Sequence, residues 1–305
     1  MRIVTDKLQF PEGPIAMPDG SVLVVEIARG TLSRVEQDGS IEVVSDVGGG
    51  PNGAAIGPDG YCFICNNGGF NWIHRPGRTY PGDQADDYSG GRIERVDLAT
   101  GSREIIYEAV DGVRLCGPND LVFDDTGGFW FTDHGKNRPR DRDRTGVFYA
   151  KADGSYIEEV IFPLEAPNGI GLSANNDELY IAETPTGRLW AYPLKGPGEL
   201  TGERLDRPDG GRVVKGRNDY FMFDSLALDD DGGVCVATLI DGGITTLYPD
   251  SRDPKFVAMP DRLTTNICFG GEDLKTAYIT LSSTGQLVAM EWDVPGLPLN
   301  YLNLN

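Results

Sequence analysis

The chain has 305 residues, of which 39% are hydrophobic, including 12 Tyr, 12 Phe and 4 Trp; this is enough apolar surface for a real core and argues against disorder. A formal net charge of −20 and a pI near 4.4 set aside phosphate backbones and anionic headgroups as partners. With no run of about 18 apolar residues and no leader-like apolar stretch in the opening MRIVTDKLQF, the expectation is a cytoplasmic protein with neither nucleic-acid nor membrane partners.

The 41 Gly and 20 Pro fall singly between apolar runs, as they do where many short strands are joined by tight turns. After an opening RIVTD, one pattern of turn, short strand, Gly/Asp turn and second strand recurs six times. The copies are PEGPIAMPDGSVLVVE, PNGAAIGPDGYCFICN, PNDLVFDDTGGFWFTD, PNGIGLSANNDELYIAE, FDSLALDDDGGVCVATL and TNICFGGEDLKTAYITL. Behind each comes a Gly and a third strand: GTLSRVE, GRIERVD, GVFYAKA, GRLWAYP, GITTLYP and GQLVAME. A fourth strand follows in five copies (IEVVSD, EIIYEA, YIEEVIFP, RVVKG, KFVAMP) and is missing from the sixth, where RIVTD is free to fill the place. The period lies around the ~40–50 residues of a four-stranded blade. The sequence therefore predicts an all-β fold, a six-bladed β-propeller of four antiparallel strands per blade, occupying 1–305 as one domain. Its last blade is closed by the N-terminal strand, which removes an exposed sheet edge.

Two polar, Gly/Pro/Asp-rich stretches, 66–90 and 134–145, interrupt the rhythm and read as long loops on one rim, where function concentrates. Of the five cysteines, Cys62, Cys65, Cys235 and Cys268 lie in strand-like runs; with Cys116 they make an odd count, as expected of buried free thiols in a reducing compartment. Strand alternation points the sulfurs of Cys62 and Cys65 to opposite faces, so this CxxC is not read as a redox or zinc motif.

In a propeller the first strand of each blade lines the central channel, and residues at one repeat position converge around the axis. The second residues of the six copies are Glu12, Asn52, Asn119, Asn168, Asp224 and Asn266. Two carboxylates and four amides are hard oxygen donors, suited to Ca²⁺, Mg²⁺ or Mn²⁺. Turn formation alone would account for Asn52 and Asn266, but not for Glu12 and Asp224 at the same position. There is no GxSxG elbow, HExxH, phosphate loop or EF-hand loop; of the two histidines, His74 and His134, only His134 directly follows a channel-proximal strand.

These residues carry a resemblance. EGP at Glu12, Pro-Asn-Asp at Asn119, Pro-Asn-Gly at Asn168, the aspartate before SLALD at Asp224 and the late CFGGEDLKTAYIT are similar to the SMP-30/gluconolactonase-like family across the chain. The resemblance implies a lactonase with one divalent metal, Ca²⁺ first and Mg²⁺, Mn²⁺ or Zn²⁺ as alternatives, held by Glu12, Asn119, Asn168 and Asp224. It implies Asp224 as the catalytic general base, or alternatively as the nucleophile. Asn52, His134 and Asn266 are the expected substrate-binding residues, and the expected partner is a small lactone, a sugar lactone or that of another hydroxy acid, bound by a monomer or weak homo-oligomer. A phosphotriesterase acting on the same metal and a non-catalytic propeller binding module are the alternative readings. Two departures affect the sugar shell. Gly117 stands where sugar lactonases carry an arginine, with Arg114 near but not equivalent, and His134, Lys136 or Asn137 occupies the neighbourhood of an expected acidic residue.

Overall fold

In a computed structural model, which describes residues 1–202, 210–216, 220–250 and 252–304, each of the six copies folds as an antiparallel blade of four strands, to which blade four adds a short fifth, Glu199–Leu200, paired with Arg188–Gly196. Blade one runs Pro11–Ala16, Val22–Glu26, Thr31–Val35, Ile41–Asp46, and the others repeat this meander outward from the axis. In blade six, Arg2–Thr5 pairs with Gln286–Glu291 in the register Arg2↔Ala289, so the N-terminal strand supplies the outermost position.

Burial explains why the strands differ in composition. The second strand of every blade meets neighbouring blades with both faces, and Val22–Glu26 and Cys62–Asn66 are buried at every position. Such strands read as unbroken apolar runs. Fourth strands lie at the rim, and Ile41–Asp46 is largely exposed or half-buried. Core clusters bridge adjacent blades: Leu23 and Val25 pack with Ile56, Cys62 and Ile64, whereas Cys65 packs with Phe123 and Phe131. Cys62 and Cys65 thus point into different inter-blade cores, and all five cysteines are free thiols.

The stretch 66–90, read from sequence as a loop, contains a second-tier hairpin: Phe70–Arg75 pairs with Arg78–Gln84 around Pro76-Gly77. Gly77 has φ +68°, the left-handed geometry that the second central position of a Pro-Gly turn requires. Its strands lack an apolar face long enough to signal themselves, because only a few of their side chains turn toward the propeller. At the other end of the channel the C-terminal segment lies across the opening. There Leu297 N donates to Leu228 O at 2.8 Å, Asn300 Nδ2 donates to Phe123 O at 3.1 Å, and Tyr301 sits edge-on to Phe123. No helix among the described residues is long and apolar enough to cross a membrane.

Candidate active site

The innermost strand of every blade carries an irregularity at the same level. In blade one the register passes from Glu12↔Val25 to Ile15↔Leu23; in blades two to five it passes from Pro51↔Asn66 to Ala54↔Ile64, Pro118↔Asp133 to Leu121↔Phe131, Pro167↔Glu183 to Ile170↔Ile181, and Phe223↔Thr238 to Leu226↔Val236. Blade six shifts between Thr264 and Asn266. One extra residue on the inner strand is a β-bulge, which re-aims a side chain out of the regular pleat. The bulges coincide with the six repeat-related oxygen donors.

Packing around these bulges explains the Asn-Gly pairs differently from a turn. A Cβ on Gly53 would lie 2.5 Å from Asn119 O, and one on Gly169 would lie 2.7 Å from Leu226 N and 2.8 Å from Asp224 O. Neighbouring inner strands approach so closely here that a side chain does not fit. The glycines of PNG are therefore spacers between blades at the level of the site.

A second device holds the incoming chain. At the end of the second strand, Glu26 accepts from Gln9 N (2.7 Å), Asn66 from Gly50 N (2.9 Å) and Glu183 from Glu165 N (2.8 Å). Asp133 accepts from Cys116 N and Gly117 N, both at 2.7 Å, and from Gly135 N at 2.8 Å. Each polar residue clamps backbone two or three positions ahead of a channel donor. The sequence contains this signal as the recurrent final residue of VLVVE, CFICN, GFWFTD and ELYIAE, a position that sequence reading passed over.

The result is a cleft in the channel mouth whose empty volume, mouth included, is about 780 Å³. Glu12, Asn52, Asn119, His134, Asn168 and Asp224 all line it. Asn266 is placed differently. It lies on the opposite side of Glu12, lining the cavity toward the C-terminal segment, and Nδ2 donates to Glu12 Oε2 at 2.9 Å; Thr265 takes its place on the cleft wall. The one-residue difference follows from the bulge of blade six, which begins earlier than the others. Sequence reading also missed Asp120, a buried carboxylate that stands where three other copies carry Gly13, Gly53 and Gly169. Burial, and then the Glu12 charge, pushes the Asp120 carboxyl up to about 7.

The electrostatics are those of an uncompensated acidic pair. Burial drives the Glu12 carboxyl up to about 7, against hydrogen bonds from Asn266, Thr265 and Gly13 N that pull it down. Asp224 is raised well above the usual carboxylate range by burial first and by the Glu12 charge second, with an Asn168 hydrogen bond opposing. Among the described residues no cation eases either group. Asn119 Oδ1 is buried and has no hydrogen-bond partner, although buried acceptors are nearly always satisfied. Two buried like charges beside an orphaned amide oxygen are what an oxygen-ligated dication would neutralise and satisfy, so the residues fit such a group. His134 is pushed down to about 4, by burial and then by Lys136 and Arg142, and is neutral near pH 7; its Nδ1 has no partner.

Fold and cleft together define a class, a six-bladed β-propeller with a hard-oxygen donor set in its channel mouth. The chain belongs to the SMP-30/Gluconolactonase/LRE-like region family, which residues 10–283 match. It is 24% identical to a gluconolactonase of Zymomonas mobilis over 92% of this chain and 79% of that one. It is 29% identical to the diisopropyl-fluorophosphatase of Loligo vulgaris over 63% of each. Among solved structures, a calcium-binding regucalcin of Agrobacterium tumefaciens aligns at a TM-score of 0.75, with 18% identity over 97% of this chain and 94% of that one.

Proposed function

We propose that the chain hydrolyses a small lactone at the channel-mouth cleft, with Glu12, Asn119, Asn168 and Asp224 holding one divalent cation and Asp224 acting as general base. Membership of this family, with a gluconolactonase among the similar proteins, makes the chain a lactonase-class hydrolase. The observation that carries the metal-assisted reading is the unneutralised pair Glu12 and Asp224 beside the unpartnered Asn119 Oδ1.

A bound dication supplies Lewis-acid polarisation of the ester carbonyl and charge for the developing oxyanion. The chain's own groups do the rest. Glu12 is oriented by Asn266 and Gly13 N, which occupy Oε2 at 2.9 and 3.1 Å. Asn168 is oriented by Thr184, whose Oγ1 accepts from Nδ2 at 3.1 Å, and this turns its carbonyl toward Ser225 and the floor. Asp224 takes the proton of the attacking water; a bound dication would hold its carboxylate less basic than in the metal-free chain, and in the buried cleft it need only share that proton in the transition state. Asn52 and the neutral His134 stand on the wall to orient the lactone ring. The expected ion is Ca²⁺.

The test is hydrolysis of a lactone panel, followed by pH indicator, using chelator-stripped protein and protein restored with Ca²⁺, Mg²⁺, Mn²⁺ or Zn²⁺. Restoration of activity by a dication, and its loss in Asp224→Asn, supports the reading. Equal slow opening by wild type and Asp224→Asn rejects it. The similarity to diisopropyl-fluorophosphatase keeps a neutral phosphotriester as the second substrate to include.

A further inference from the structure

We propose that this cleft takes a neutral lactone bearing an apolar substituent, and that the hairpin of blade two, latched at its tip by Arg78 to Asp261, makes it selective. The word lactone rests on the function proposed above; the chemistry of the walls does not.

The cleft has two unlike halves above its oxygen-lined floor. Blades two to four contribute the polar side: Asn67, His134, Asn137 and Thr184. The opposite side is apolar and is built from Phe10, Ile27, Phe70, Pro81, Leu239 and Leu263. No described lining residue is Lys or Arg, and His134 is neutral near pH 7. A polyol or an anion pressed against that apolar half would surrender hydration without gaining partners. An alkyl or aryl substituent gains there, while the ester ring faces the amides and the hydroxyl.

The apolar half is completed by the hairpin Phe70–Arg75/Arg78–Gln84, which crosses the rim from blade two to the far side. At its tip Arg78 donates to Asp261 Oδ1 at 2.8 Å and to Ser283 Oγ at 2.9 Å. Asp261 is buried, with 1% of its side chain exposed, and also accepts from Leu263 N at 3.0 Å. One carboxylate therefore fixes both the roof and a wall residue. Near the base, the Lys136 ammonium sits 3.8 Å over the Phe70 ring and donates to Gly69 O at 2.6 Å and Asn67 Oδ1 at 3.1 Å. Trp72 joins roof to wall, its ring 5.0 Å from Phe10 and 6.0 Å from Phe70. Arg78 is outside the cleft lining, so it acts as a positioning residue through Phe70, Pro81 and Leu263.

The experiment uses the Ca²⁺-loaded full chain, comparing δ-nonalactone, δ-valerolactone and glucono-δ-lactone by kcat and KM. The corresponding lactams are titrated in parallel as ligands that are not opened. The expected kcat/KM for δ-nonalactone exceeds that for gluconolactone by about tenfold or more, the scale of a few buried methylenes. Arg78→Ala should raise KM for δ-nonalactone about fivefold while changing kcat and the valerolactone KM less than twofold, and Arg78→Lys should recover part of the loss. Circular dichroism separates a loosened hairpin from a misfolded variant. A preference for gluconolactone, or an equal KM change for all three lactones in Arg78→Ala, overturns the proposal. If no lactone is opened with any metal, the proposed function fails, and the lactams still decide the wall chemistry. Tighter binding of the alkyl lactam than of the sugar lactam upholds it, and the reverse order or no binding overturns it.

Discussion

Asn266 Nδ2 donates to Glu12 Oε2 at 2.9 Å and so ties the last blade to the first at the floor of the cleft. This bond and that from Gly13 N both fall on Oε2 and together fix the direction of the carboxyl. Partners of this kind change metal affinity by about 10–100-fold when removed. Asn266→Leu is therefore expected to weaken Ca²⁺ binding by about tenfold, read by calorimetric titration, with lactone KM altered much less than metal affinity. An unchanged calcium affinity would show that Asn266 does not position Glu12.

Asp224→Asn removes one charge from a buried acidic pair at nearly constant shape. Lactone hydrolysis should fall by about 10²-fold or more, the scale of a lost general base. The metal-free variant should melt above the metal-free wild type, because Glu12 no longer faces a like charge. Thermal melts with chelator test this, and a lower melting point would mean that Asp224 is paired in the metal-free state.

The same acidity predicts an inverted pH profile for the metal-free protein. The Glu12 carboxyl lies at about 7 when folded against an ordinary 4.5, so the folded state binds its proton more tightly than the unfolded state. Stability is then greatest at low pH and declines as pH rises from about 4.5 to about 7, by on the order of 3 kcal/mol from this group. Urea melts at pH 5 and pH 8 in chelator should show the decline. Ca²⁺ should reduce it, and Glu12→Gln should remove the share of Glu12 while leaving the decline that Asp120 and Asp224 contribute. Stability rising through that window would contradict the assignment.

Gly53→Ala and Gly169→Ala place a Cβ 2.5–2.7 Å from neighbouring backbone. Each should cost about 2–4 kcal/mol and weaken metal binding, since the strands that must move carry Asn119 and Asp224. Gly196→Ala, with nothing within 4 Å, is the matched control and should stay within about 0.5 kcal/mol. Equal effects at the three positions would remove the close-approach explanation.

Asp133 satisfies two backbone N–H groups ahead of Asn119, those of Cys116 and Gly117, and a third at Gly135. Asp133→Ala strands those donors in a buried site and should destabilise by about 3 kcal/mol or more. Asp133→Asn should recover only part, because an amide offers one acceptor oxygen. Melting temperatures of the two variants decide this, and an Ala variant as stable as wild type would rule out the clamp.

The sequence by itself determined the propeller, because a blade is a local meander whose short turns and unbroken apolar second strands repeat in plain view. It also pointed to the residue that five of the six copies bring to the cleft, since Glu12 and Asp224 break a pattern that turns alone would explain. Tertiary structure decided the rest. A bulge that begins one residue early turns Asn266 behind Glu12 and puts Thr265 on the wall, and register is a property of two strands. The glycines after Asn52 and Asn168 are spacers between blades, which no single copy reveals. The hairpin of blade two is latched to Asp261, far away in the chain, by a contact that depends on the closed ring. Local periodicity records how a strand faces its own blade, whereas the cleft is made where six blades meet.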